Sequence, residues 1–347
     1  MTTPADLGYR MPAEWHRHEA TWLSWPKDPV TWPDRVPQVR EIFTRMIEAL
    51  APYEIVHVLV DDEAAAEDVR LRLSPLHAPN VRLHRIPTVD SWIRDYGPNF
   101  VIRDKGDVAF NDWGFNAWGD KYETLKADAR VPELLQPLLG LKRFEAGSVV
   151  LEGGSIDVNG AGVVMTTEQC LLNPNRNPQL DRTGIERALR EFLGVRHVLW
   201  LGEGVAGDDT DGHIDDIARF VSERTIVCAV EEDPADANYK VLQDNLRRLE
   251  RARDAQGEPY RIVTLPMPGP VMAENDRLPA SYANFYIANQ VVLLPVFGHA
   301  NDRRAVEILQ PLFPDRRVIP INCEPLVWGM GAIHCVTQQQ PAPLTKR

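Results

Sequence analysis

The chain has little cysteine: Cys170, Cys228, Cys323 and Cys335 are the only four in 347 residues, and no two form a C-x-x-C pair. Such sparse, scattered cysteines exclude a disulfide framework and argue against a structural zinc site. Long apolar runs are missing too. No stretch approaches 18 consecutive apolar residues, which excludes a helical membrane span, and the polar opening Met1–Arg10 predicts no secretory signal. Positive charge is in deficit, since 38 Lys and Arg against 50 Asp and Glu leave a net charge of -12. With no basic run to track phosphates, a nucleic-acid binder is excluded, whereas a cationic substrate suits the balance. The expected compartment is the cytoplasm. No Gly/Ser-rich or charged linker interrupts the order of elements, so residues 1–347 are read as one domain.

What is present is a repeated order of elements. Val39, Ile42, Phe43, Met46, Ile47 and Leu50 fall at helical spacing, which predicts a helix over Val36 to Leu50, and Ile55 to Val60 reads as a buried strand. A helix from Asp61 to about Leu73 and a strand from Val81 to Ile86 follow. Four times thereafter a hairpin precedes a helix and a single strand. The first hairpin joins Phe100–Ile102 to Val108–Phe110 through Lys105-Gly106, before helix Pro132–Leu139 and strand Val149–Leu151. The second joins Ile156–Val158 to Val163–Thr166 through Asn159-Gly160, a strong turn signal, before helix Arg182–Phe192 and strand Val198–Leu201. The third pairs Ile217–Val221 with Ile226–Val230, before Tyr239–Arg251 and Ile262–Leu265. The fourth pairs Asn284–Ile287 with Val291–Val296, before Asp302–Leu312 and Val318–Ile321.

A last strand, Ile333–Thr337, is expected to join the opening helix and strand in a fifth unit, and the Pro-rich Met267–Pro279 to be a surface loop. Repetition at intervals of roughly 55 to 70 residues suggests radial assembly. Long mixed repeats with unlike ends disfavour a linear solenoid.

Polar signals recur at equivalent places ahead of the hairpins: Asp95 in W-I-R-D-Y-G-P, Glu152 in L-E-G-G-S, and the acidic run around His213. Radial assembly would bring them to one end, where Cys335 in the last strand closes against the first unit. Carboxylates can hold a planar guanidinium through paired charge-assisted hydrogen bonds. A thiolate is the strongest side-chain nucleophile at neutral pH, and a bound cation would lower the pKa of Cys335. A nearby His could protonate departing ammonia and then deprotonate water. The set points to guanidine hydrolysis.

The motifs W-I-R-D-Y-G-P, F-N-A-W-G, E-G-G-S-I-D-V-N-G, C-L-L-N-P-N-R-N-P, D-x-T-D-G-H-I-D and I-H-C-V-T-Q-Q together resemble the agmatine deiminase family, grouped with the bacterial peptidylarginine deiminases in the pentein superfold. The resemblance runs from Met11 to Pro341. It implies a five-bladed pseudo-symmetric α/β propeller of ββαβ modules and no metal or organic cofactor. It also implies conversion of agmatine to N-carbamoylputrescine and ammonia, in putrescine biosynthesis or agmatine breakdown. Carried over residue by residue, it implies that Asp95 and Asp215 grip the guanidinium, Cys335 attacks, His213 is acid then base, and Glu152 partners His213. Asp209 would meet the far ammonium, with Trp92, Trp113 and Trp118 lining the channel. Gly329-Met330-Gly331-Ala332 departs from the family's G-G-G-N before I-H-C and bears on the substrate.

Competing readings are an arginine or peptidylarginine deiminase, an amidinotransferase, and a binding protein on the same propeller. Oligomeric state stays open, a homo-oligomer included. Taken singly, Asp95 could pair with Arg94, Glu152 could serve a turn, and His213 and Cys335 could be packing residues. Cys170, Cys228 and Cys323 keep that structural reading. So does His334, which alternation along a strand would turn away from Cys335. Arg94 would likewise face away from the site if its segment is extended, leaving Asp209, Asp211 and Trp92 to shape the far end. Trp15, Trp22, Trp25 and Trp32 are read as packing, and His16 and His18 lack a third ligand for a metal.

Overall fold

Helix Val36–Leu50 buries all six of its expected apolar residues and packs against strands Ile55–Val60, Val291–Val296 and Arg317–Asn322, so it fills the space between two sheets. Helix Arg182–Leu193 is amphipathic in the same way, capped by the Asp181 carboxylate accepting from Gly184 N and stopped by Gly194 at φ 65°.

The computed structural model describes residues 2–104 and 106–344, so Lys105 of the first expected turn lies outside the described residues. Four three-stranded sheets follow one plan, an antiparallel hairpin and then, after a helix, a strand parallel to the hairpin's second strand. Their strands are Asn99–Ile102, Val108–Gly114 and Lys142–Val150; Asp157–Val158, Val163–Thr167 and His197–Leu201; Ala218–Ser222, Thr225–Val230 and Arg261–Pro266; Tyr286–Ile287, Val291–Val296 and Arg317–Asn322. The fifth sheet is assembled from both ends of the chain. Gln338–Pro341 runs antiparallel to His18–Ser24, which is parallel to Ile55–Val60, with Val81–Arg85 at the far edge. The architecture is the five-bladed α/β propeller. Among the described residues no helix is long and apolar enough to cross a membrane.

Four local expectations are corrected. Ile333–Val336 is a turn, not a strand, and the final strand is Gln338–Pro341. Ile333 and Val336 are fully buried by turning inward rather than by alternation. Ile93–Tyr96 is a one-turn helix, not an extended segment. His18–Ser24, where only Trp22 is expected to pack and no strand is expected, is a strand whose residues are buried at all positions but Glu19. Within Met267–Pro279, the strands Met272–Ala273 and Asp276–Arg277 pair as a short hairpin. At the Asn159-Gly160 turn, Gly160 has φ 70° and lies so close to Ala13 that a Cβ there would sit 2.8 Å from Ala13 N. Only glycine fits this close approach, which seats the segment carrying Glu14.

Candidate active site

Each blade contributes a short turn immediately before its hairpin. These are Ile93–Tyr96, Gly153–Ser155, Ile214–Asp216, Ser281–Asn284 and the turn Ile333–Val336. The turns bring Asp95, Glu152, His213, Asp215, Asn284 and Cys335 together, so five equivalent positions of the repeat build one buried polar cluster.

Cys335 is at the floor of a pocket of about 220 Å³ lined by Trp92, Asp95, Trp118, Asp209, Met330 and Gly331, among others. Its Sγ lies 3.7 Å from Asp215 Oδ2 and 3.1 Å from Asn284 Nδ2. Burial, reinforced by Asp215, Asp216 and Asp95, pushes the thiol well above its ordinary range. An arriving cation would reverse that balance.

Asp95 is oriented by two donors, Gly154 N at 2.8 Å on Oδ1 and Trp118 Nε1 at 2.9 Å on Oδ2. Burial raises its carboxyl to about 6, with Asp215 and Glu152 adding to the rise and His213 opposing it. Asp215 is different. Although burial raises it, His334, His213 and Arg219 outweigh burial and hold it below the usual carboxylate range.

His213 stands between acids without a hydrogen bond to either, its Nδ1 3.8 Å from Asp95 Oδ1 and its Nε2 4.0 Å from Glu152 Oε2. Both ring nitrogens are buried and unpartnered. Burial opposes the charged ring, but Asp95, Cys170 and Glu152 overcome it and keep His213 protonated well above the ordinary range. An imidazolium left free of fixed partners can deliver a proton to a reacting group.

Toward the mouth, Asp209 accepts from Tyr122 Oη at 2.6 Å and lines the pocket. Trp92 also lines it, anchored through Nε1 to Asp90 Oδ2 at 2.9 Å. Trp113 does not. It packs on Phe192, with ring centroids 4.9 Å apart, and donates to Asn99 Oδ1 at 3.3 Å, because its strand turns it into the blade interior. Asp211 is engaged by Arg176, Lys121 and Asn175 and is absent from the pocket wall. Arg94 does face away, as expected, but through helical geometry: it donates to His334 O and Gln339 Oε1.

Residues without an expected role complete the cluster. Arg176 donates to Glu152 Oε1 at 3.0 Å and fixes that carboxylate. Asn284 holds the Cys335 turn, accepting from His334 N at 2.9 Å. His334, expected to point away, places Nδ1 2.7 Å from Asp215 Oδ2 because the segment is a turn. The motif C-L-L-N-P-N-R-N-P contained Arg176, and Asn284 opened an expected strand; neither position announces burial in sequence.

Glu152, Cys170 and His213 bring potential ligand atoms within 4.8 Å of one another. Arg176, fully buried and donating to Glu152 Oε1, would set a fixed positive charge beside any cation held there. Ammonia release is therefore expected to be unchanged by EDTA. Loss of activity restored by one divalent metal would overturn this.

The five-bladed ring, with a thiol, an imidazole and carboxylates gathered at one end, is that of the pentein class. The model of the Porphyromonas-type peptidyl-arginine deiminase family matches residues 10–341, and the chain belongs to that family. The agmatine deiminase of Ectopseudomonas mendocina (strain ymp) is 41% identical over 364 residues, covering 99% of this chain and 98% of its own. Among solved structures, the agmatine deiminase of Enterococcus faecalis superposes with a TM-score of 0.94 at 35% identity over 99% of both chains. A C. jejuni agmatine deiminase variant with substrate bound gives 0.87 at 30% identity over 97% of both.

Proposed function

We propose that this chain is a guanidine deiminase that hydrolyses agmatine to N-carbamoylputrescine and ammonia. The observation that carries the reading is the placement of Cys335 Sγ at the floor of a pocket beside Asp215 and Asp95, with Asp209 toward the mouth. Asp95 and Asp215 hold the guanidinium, whose charge lowers the Cys335 pKa so that the thiol releases its proton to solvent. The thiolate forms an S–C bond to the central carbon, and one nitrogen leaves as ammonia with a proton from His213. The remaining thiouronium is attacked by a water that His213 deprotonates. Collapse breaks the S–C bond and leaves the ureido product.

The far end decides the substrate. Among the described residues no Lys or Arg lines the pocket; nearby cations are engaged, Lys121 by Asp211 and the Asp209 carbonyl, and Arg35 by stacking on the Trp328 ring. A substrate carboxylate would be desolvated there without a partner, at a cost of several kcal/mol, whereas an ammonium pairs with Asp209. Assays of ammonia release with agmatine, arginine and a peptide ending in arginine are expected to favour agmatine by at least about a hundredfold in kcat/KM, roughly 2.7 kcal/mol. Asp209→Asn should erode that preference while sparing shorter guanidines. Equal specificity for arginine would overturn the far-end argument. The four cysteines are all unpaired, which supports the cytoplasm as the compartment, with putrescine biosynthesis or agmatine breakdown as the setting.

A further inference from the structure

His334 is wedged between two carboxylates. Its Nδ1 is 2.7 Å from Asp215 Oδ2 and its Nε2 is 2.7 Å from Glu14 Oε2, all three groups being buried. Glu14 is itself fixed: Oε1 accepts from Ile287 N at 2.7 Å and lies 2.9 Å from Arg219 Nη2, while Oε2 is 3.6 Å from Arg94 Nη2. The backbone of the same turn is pinned by Asn284 Oδ1 and by Arg94 Nε on the His334 carbonyl.

Asp215 has its two oxygens in different states. Oδ2 is engaged by His334, and Oδ1 is buried with no partner. A carboxylate packed beside Asp95, Asp216 and the Cys335 thiol meets repulsion from like charges, and without a fixed donor it can rotate or take a proton. Buried polar groups are held in one orientation by completed networks. Glu14 and His334 complete this one.

We propose that His334, backed by Glu14, is a positioning residue that holds Asp215, whose Oδ2 also lies 3.7 Å from Cys335 Sγ, in the orientation that meets the substrate guanidinium. The inference rests on the reading that Asp215 binds that guanidinium, and the experiment separates the two. Agmatine affinity is measured by titration calorimetry in a Cys335→Ala background, alone and combined with Asp215→Asn, His334→Gln, His334→Asn or Glu14→Gln. Melting curves confirm folding. An Asn amide nitrogen can stand in for Nδ1 and still reach Asp215. A Gln amide nitrogen stands in for Nε2 and reaches Glu14 instead. His334→Gln is expected to weaken binding about tenfold, His334→Asn markedly less, and the Asp215→Asn/His334→Gln pair no more than Asp215→Asn alone, as for residues in one network.

Should His334→Gln fail to fold, Glu14→Gln carries the same test, with weakened binding that vanishes in the Asp215→Asn background. Unchanged affinity in Asp215→Asn would refute the underlying reading of Asp215. Weakened affinity there, with no loss in the His334 or Glu14 variants, with Asn as harmful as Gln, or with losses that multiply, would overturn the positioning role.

Discussion

Replacing Cys335 by alanine is expected to lower ammonia release by a factor of about 10⁴ or more, as loss of a sole nucleophile does, while the melting temperature moves by only a few degrees. Cys335 is the single thiol on the pocket wall; Cys170 is buried behind it against His213 and Glu152, and Cys228 and Cys323 are buried away from the site. Its chemistry should also be unusual in the free enzyme. Because burial and Asp215, Asp216 and Asp95 hold the proton on sulfur, neutral iodoacetamide should react slowly at pH 7 and faster as pH rises. A haloacetamidine brings its own positive charge to the acidic pair and should label Cys335 much faster at pH 7, which mass spectrometry would locate. Activity within tenfold of wild type in the alanine variant, or an adduct on Cys323, would end the nucleophile assignment.

Gly154→Ala is expected to cost about a thousandfold in kcat/KM with little effect on folding. A Cβ built there lies 2.6 Å from His213 Nδ1, 2.9 Å from Asp95 Oδ1 and 3.0 Å from Asp215 Oδ2. All three would have to shift, and none is the loose end of a flexible chain. Asp95 is held by Trp118 and by Gly154 N itself, and Asp215 by His334. A displacement near 1 Å at reacting groups costs about a hundredfold, and here both the proton carrier and the cation grip would move. Gly153→Ala offers a contrast, since its Cβ would collide with the Arg94 carbonyl and the damage should appear in the melting temperature. A fully active Gly154→Ala variant would show that the polar cluster is not where the substrate sits.

The blades were legible because each carries its own local pattern: a turn dipeptide, a helical period and a short apolar run. Tyr239–Arg251 and Val291–Val296 match expectation to the residue. What escaped was set by distant partners. His18–Ser24 is buried on both faces and so lacks the alternation that marks a half-exposed strand, and its antiparallel neighbour comes from the other end of the chain. Around Cys335, five residues of I-H-C-V-T are too few to tell a strand from an inward-facing turn. That difference decides where His334 points. Glu14 and Arg176 are charged residues that composition assigns to the surface, and only pairing across blades makes their burial tolerable.

Closure of the ring by its two ends gives catalysis an order in time. Trp22 pairs with Gln338, and Ala342 N donates to Arg17 O, so the first and last segments finish one sheet between them. Domains emerge from the ribosome beginning with their N-terminal parts. The acids and the imidazole are therefore synthesised well before the thiol, which arrives only a few residues ahead of the strand that completes the ring. The nucleophile thus joins the acids and the imidazole late in synthesis, just ahead of the strand that pairs with His18–Ser24.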